Sequence, residues 1–236
     1  MTRTAPARAE RLARLGGLYA IVGDDDPVAR AAAAVDGGAR VVQVRMKRTP
    51  AGAVLEAARR IVELAHGRAE LSHGRAALAR ERALVLVNDR PDVAVLAGAD
   101  GVHLGDEDLP PAEARAIVGP DLLVGRTCRS AKDALAALAD GADHLGYGPV
   151  FASLTKPLAV GPFGLAALAE VCAAVPAPVV AISGITLANI ADVARAGAAA
   201  AAVIGDLFDA GDPRARASAL AAAFEVGRAG RPGGAP

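Results

Sequence analysis

The chain has 236 residues with 26 basic and 26 acidic side chains, so its zero net charge removes the electrostatic basis for binding nucleic acid or an acidic membrane surface. Aromatic content of 3% and the absence of Trp leave little for stacking on bases, and no apolar run approaches the roughly 20 residues a spanning helix needs. Cys128 and Cys172 lie far apart and match no metal or disulfide spacing, and no apolar stretch follows the basic start to make a secretory signal; both point to a reduced, cytoplasmic protein.

In chain order, residues 1–16 read as an N-terminal extension carrying a first helix, and Leu18–Val22 as the first strand. The spacing then predicts a helix at Pro27–Asp36 stopped by Gly37 and Gly38, a strand at Arg40–Val44 and a helix at Ala53–His66. Residues 67–80 read as a solvated insertion in which HGRA occurs twice. His66 and His73 are seven apart, but no carboxylate or Cys completes a metal site with them. Strands follow at Leu84–Val87, Gly101–Leu104, Leu122–Val124, His144–Gly146, Val179–Ile182 and Ala201–Ile204. Between and after them, helices are expected at Pro111–Val118, Ala131–Asp140, Gly164–Val175, Leu187–Ala196 and Pro213–Val226, with Ser130 and Thr186 as N-caps and Gly141 and Gly197 as stops. The tail 228–236 reads as disordered.

Most of the strands are continuously apolar, as parallel strands covered on both faces are. Eight of them interleaved with eight helical slots fit one (β/α)8 TIM barrel over residues 17–227. An open doubly wound sheet begins with the same repeats, but chemistry spread over the ends of many strands favours the barrel.

Polar residues cluster where the apolar runs end, the side of such a barrel that carries function. After strand two, Gln43, Arg45 and Lys47 alternate with Val44 and Met46, so a period of two puts the three polar side chains on one face, suited to a phosphate or diphosphate. After strand three come Asn88 and Asp89, with Asp92 expected as an N-cap; after strand four come Asp106, Glu107 and Asp108. Carboxylates on adjacent strand ends repel unless a cation sits between them, and Mg²⁺ shared with substrate phosphate oxygens answers that. Thr127 follows strand five, its hydroxyl open to a phosphate or to capping the next helix. The long connection after strand six carries Ser153, Thr155 and Lys156 and reads as a lid over an anion. Lys156 lies on that loop and not inside the apolar strand, which argues against a Schiff-base role. Gly184 and the pair Ile204 and Gly205 follow strands seven and eight, where backbone amides of barrels bind phosphate. One anion site, around Gln43, Lys47, Asn88, Asp89, Asp108, Thr127 and Lys156, suits a diphosphate; the other suits a monophosphate. Two phosphorylated substrates at one mouth imply group transfer.

Taken in order from Leu18 to Phe208, QVRMK, NDRPD, GADGVHLGDEDLP, GYGPVFASLTK and SGITLAN resemble the motifs of the thiamine-phosphate synthase family. The resemblance implies an alkyl transfer that releases diphosphate and uses Mg²⁺ held by Asp89 and Asp108. It implies that Gln43, Val44, Arg45, Met46, Lys47, Asn88, Thr127 and Lys156 bind a pyrimidine diphosphate, with Lys47, Lys156 and Thr127 acting in catalysis. It places a thiazole phosphate on Ser153, Leu154, Thr155, Gly184, Ile204 and Gly205. No general base is required and no catalytic His stands out. The sequence departs from the family pattern at Asp106 for Gln, Thr127 for Ser, Cys128 for a small polar residue, Arg129 for His, Ser183 for Gly and Gly205 for Ser. Neighbouring readings are a thiazole tautomerase of the same superfamily, which would not need the diphosphate set, and a non-catalytic barrel that binds thiazole phosphate. A homo-oligomer is left open.

Overall fold

Eight parallel strands close into a barrel in the computed structural model, which describes residues 8–67, 82–152 and 161–231. They are β1 (Gly17–Val22), β2 (Val41–Val44), β3 (Leu84–Asn88), β4 (Gly101–Leu104), β5 (Leu123–Cys128), β6 (His144–Tyr147), β7 (Val179–Ala181) and β8 (Ala200–Val203). Each pairs with its sequence neighbours, and β1 also pairs with β8, Leu18 opposite Ala201. The helices are α1 (Arg8–Arg14), α2 (Pro27–Asp36), α3 (Ala51–Gly67), α4 (Pro91–Ala97), α5 (Pro111–Val118), α6 (Ala131–Ala139), α7 (Gly164–Ala174), α8 (Ile190–Arg195), α9 (Gly205–Phe208) and α10 (Pro213–Ala229).

Four sequence expectations are corrected. β5 runs to Cys128, so Thr127 is a strand residue and caps no helix. The cap of α8 is Asn189 instead of Thr186: the Asn189 side chain accepts from the Thr186 N–H, which uses that segment for a turn and delays the helix to Ile190. Asp92 lies in the first turn of α4, after Arg90 at the cap position, and its carboxylate pairs with Arg90 at 2.6 Å. Arg228, expected in the tail, sits in the last turn of α10, paired with Glu225 one turn earlier. His73 lies outside the described residues, whereas His66 takes a structural place described below.

The four even strands are entered the same way. Gly38, Gly98, Gly141 and Gly197 all have φ between 67° and 115°, a region L side chains rarely adopt. The alanine after each glycine is buried and donates to a carbonyl in the preceding helix: Ala39 to Ala34, Ala99 to Ala94, Ala142 to Ala137, Ala198 to Val193. The next residue donates to the preceding strand, at Leu18, Val85, Val124 and Val179. Gly-Ala-X therefore turns the chain from helix into ladder four times around the barrel.

Twice X is Asp, and both carboxylates are fastened to the N-terminal end of the barrel. Asp100, 1% exposed, accepts from the Val85 amide at 2.9 Å, from Arg11 Nε at 3.2 Å and from His66 Nε2 at 2.9 Å. Arg82 donates to His66 Nδ1, so the hydrogen-bond partners place the imidazole proton on Nε2. Burial pushes the Asp100 carboxyl up, but His66, the Val85 amide and Arg82 together hold it below the usual range. Asp143 repeats the arrangement with the Val124 amide at 2.8 Å and Arg115 at 2.5 Å.

Period two divides the strand residues between two cores. Tyr19, Val41, Leu84, Leu86, Leu123, Val180, Ala200 and Ala202 fill the interior above Leu15. Leu84, Leu86 and Leu123 are fully buried, each stabilising the fold by about 1.5–3 kcal/mol relative to exposure. Alternate residues, such as Val42, Val44, Val85, Val87, Val102 and Val124, face outward under the helices. Continuing that alternation upward puts Gln43, Asn88, His103 and Thr127 on the inner side near the C-terminal ends of their strands.

Candidate active site at the barrel mouth

The chain leaves β2 at Val44, and Arg45 and Met46 are half-buried at its exit. Lys47 reaches across to β3, its Nζ 2.9 Å from Asp89 Oδ2. Asp89 has φ 64°, tolerated by Asp better than by most side chains, and its amide donates to the His103 carbonyl of β4 at 2.9 Å. Asp108 is held by a tight turn after β4, where its Oδ2 accepts from the Gly105 amide at 2.6 Å. The Asp89 and Asp108 carboxyl groups lie within hydrogen-bonding reach of each other, and their mutual interaction moves the two in opposite directions. Burial and the neighbouring Asp89 push Asp108 up. Burial acts the same way on Asp89, but hydrogen bonds from Asp108 and Lys47 and the charge of Arg45 hold it down.

Two carboxyl groups in contact beside a Lys can take a divalent cation between them. No group of three or more His, Cys, Asp or Glu suited to a metal gathers among the described residues. A hard cation here would draw its other ligands from water and substrate oxygens, the coordination Mg²⁺ favours. The donor set fits that ion.

Below this cluster the barrel interior is polar. Gln43 is 3% exposed and donates to the Tyr19 hydroxyl at 2.8 Å, and burial keeps that phenol protonated by pushing its pKa up. Asn88 ends β3, opposite His103 in the ladder. Thr127 Oγ1 lies 3.1 Å from His103 Nε2. His103 packs against His144 with ring centroids 5.7 Å apart. Burial pushes both imidazoles down, His103 to about 4 and His144 to about 3, so both are neutral near pH 7.

The second expected anion site is built from the loops after β7 and β8. Gly184 has φ 66°, and a Cβ there would lie 2.3 Å from the Ala152 carbonyl oxygen, so any side chain would collide with the loop after β6. The Asn189 side chain donates to the Gly184 carbonyl at 3.0 Å and closes that turn. Ile204 precedes the short helix α9, and Gly205 is its first residue, where backbone amides have no intrahelical partner. Asp206 accepts from the Leu187 amide at 3.1 Å and ties the two loops together. Ser153, Leu154, Thr155 and Lys156 lie outside the described residues.

Three departures gain a structural account. Arg129 forms an ion pair with Asp106, so the two unusual charges, on the loops after β5 and β4, neutralise each other beside the carboxylate pair. Arg126 adds hydrogen bonds to the Asp106 and Leu109 carbonyls at 3.3 and 3.1 Å. Ser183 keeps the φ of 77° that suits glycine, and its hydroxyl donates to the Phe151 carbonyl at 3.2 Å.

Sequence reasoning did not find His103, Tyr19 or Asp24. Asp24, after β1, accepts from the Arg48 amide at 3.2 Å and the Thr49 hydroxyl at 2.7 Å, bracing the loop that bears Lys47. The available signal for His103 was its inward parity in GVHL, with glycines at inward positions of β5 and β6.

The family model described as "Thiamine monophosphate synthase" matches residues 18–207. The chain is 63% identical over 227 residues to a thiamine-phosphate synthase of Anaeromyxobacter dehalogenans, covering 96% of each, and 50% identical over 203 residues to one of Myxococcus xanthus, covering 86% of this chain and 87% of that one. A solved thiamine phosphate pyrophosphorylase from Pyrococcus furiosus superposes with a TM-score of 0.76 at 32% identity, covering 88% of this chain and 95% of that one. With the barrel and the ordered motifs, these matches show that the chain belongs to the thiamine-phosphate synthase family.

Proposed function

We propose that this barrel mouth makes thiamine phosphate by Mg²⁺-assisted alkyl transfer from a pyrimidine diphosphate to the ring nitrogen of a thiazole phosphate. Family membership makes the chain a transferase of thiamine biosynthesis acting on small molecules; the roles of the residues are our reading. The observation that carries it is the cluster of Lys47, Asp89 and Asp108, which joins an ammonium to two touching carboxylates on adjacent strand ends. Such a cluster suits a leaving diphosphate and the cation that accompanies it.

Asp89 and Asp108 would hold Mg²⁺, which when bound offsets charge growing on the departing diphosphate. Gln43, Val44, Arg45, Met46 and Asn88 orient the pyrimidine diphosphate, while Lys47, Thr127 and Lys156 stabilise the leaving group. The carbon–oxygen bond breaks with its electron pair going to diphosphate. The thiazole nitrogen lone pair then forms the new carbon–nitrogen bond, so no general base is needed. Ser153, Leu154, Thr155, Gly184, Ile204 and Gly205 hold the thiazole phosphate, with Asn189 keeping Gly184 in place. We assign the protein to the cytoplasm, a reading supported by its two free cysteines.

Turnover of both phosphorylated substrates should be measured with and without Mg²⁺ after exhaustive chelation, following thiamine phosphate and diphosphate. Product in both arms at the same rate would remove the metal from the mechanism.

A further inference from the structure

Three neighbouring strands place His103, Gly125 and His144 side by side, His103 opposite Gly125 and Gly125 opposite His144. The missing side chain at 125 makes room for both rings. A Cβ there would lie 2.2 Å from His144 Nε2 and 2.6 Å from His103 Nδ1, so both rings occupy the space that a side chain at 125 would need. Gly146 clears the other side, where a Cβ would lie 2.9 Å from His103 Cε1. His144 is 0% exposed and His103 is 9% exposed. Of their four ring nitrogens, His103 Nε2 alone has a hydrogen-bond partner among the described residues, the Thr127 hydroxyl. A pair of leucines would fill the same space without burying polar atoms, so the imidazoles need a reason.

Two arrangements satisfy the contact between His103 and Thr127. If Thr127 donates to His103 Nε2, then His103 carries its proton on Nδ1, a buried donor with no partner among the described residues. If instead His103 carries its proton on Nε2 and donates to Thr127, what remains unmet on that ring is a lone pair. An unmet buried donor costs more than an unmet acceptor, so the second arrangement prevails.

We propose that His103, backed by His144, is a positioning residue: as its Nε2–H tautomer it donates to Thr127 Oγ1 and turns the threonine hydroxyl proton up into the barrel mouth, toward an acceptor oxygen or nitrogen of the substrate. The hydroxyl then meets substrate as a donor of fixed direction, and no proton is transferred. The proposal rests on the reading of Thr127 as a substrate contact.

Long-range ¹H–¹⁵N NMR on the full chain, whose four histidines can be assigned by single substitution, reads the tautomers directly. An Nε2–H signal is expected for His103; an Nδ1–H signal from it overturns the proposal without any variant having to fold. In kinetics, His103→Leu should lower kcat roughly tenfold with the KM for thiazole phosphate unchanged. His103→Gln, whose amide nitrogen can still donate to Thr127, should restore most of the loss. Equal kcat in the Leu and Gln variants would also overturn it. Thr127→Val with parental kcat would instead show that the underlying substrate contact is wrong, whatever the tautomers prove to be.

Discussion

Both ends of this barrel carry buried or half-buried acids, and they are treated in opposite ways. At the N-terminal end, Asp100 is surrounded by an amide, a guanidinium and an imidazole, each donating to it. Asp143 has an amide and a guanidinium. At the C-terminal end, Asp89 and Asp108 lie against each other beside Lys47, an arrangement that pushes the Asp108 carboxyl up. The same residue type is a finished anchor at one end and an unfinished site at the other. What separates them is the partner set: donors from several elements satisfy a carboxylate outright, whereas a second carboxylate leaves room for a cation.

The largest effects should come from exchanging these roles. Asp100→Ala removes the buried carboxylate that Arg11 Nε, His66 Nε2 and the Val85 amide all donate to and should cost about 3–5 kcal/mol of stability, read from denaturant midpoints. Asp89→Asn, which keeps a side chain suited to positive φ, should lower turnover by about 10²–10³-fold while leaving the midpoint close to the parent. A stable Asp100→Ala protein, or an Asp89→Asn protein that is mainly unstable, would erase the distinction.

The next effect lies between the two ends, at the buried imidazoles. Their pKa values in the fold, about 4 for His103 and about 3 for His144, lie below the unfolded value near 6.5. From pH 6.5 down to about 4 the unfolded chain therefore binds protons that the folded chain refuses. Stability should fall with pH through that window, by on the order of 3 kcal/mol per histidine. His144→Leu should give a shallower slope in denaturation measured from pH 7 to 4. A slope equal to the parent's would mean that His144 is not buried neutral.

The smallest effect belongs to the mouth's outer rim. Asp106 and Arg129 are 37% and 51% exposed, so a double-mutant cycle should return about 0.2–1 kcal/mol of coupling. The pair's value is local charge balance: Asp106→Gln, which leaves Arg129 without its carboxylate beside the metal pair, should change the Mg²⁺ dependence of turnover more than the double variant Asp106→Gln/Arg129→Gln, which restores neutrality. Identical kinetics for the single and double variants would remove Arg129 from the site.

Much of this is legible in the sequence alone. The strands are continuous apolar runs bounded by glycine and proline, and the β3, β4, β7 and β8 exits carry their polar residues within a few positions of the run. Those signals are local, so Asp89, Asp108, Gly184 and Gly205 could be placed at strand ends. Thr127 was placed beyond its strand because GRTC holds no apolar residue before Cys128, although the ladder with β6 continues through it. The α8 cap was misassigned because Thr186 and Asn189 both suit a helix start, and only the turn through Gly184 selects between them.

The sequence by itself determined the alternation of strand and helix, the hand-over glycines and the identity of the polar residues at each exit, because each is set by near neighbours along the chain. The tertiary structure decided which of those residues meet. Arg11 finds Asp100, 89 positions away; Gln43 finds Tyr19; His103 and His144 share the space above Gly125. Such contacts depend on strand register and on closure of β8 onto β1, and register is a sum over all eight ladders that no single stretch of sequence contains.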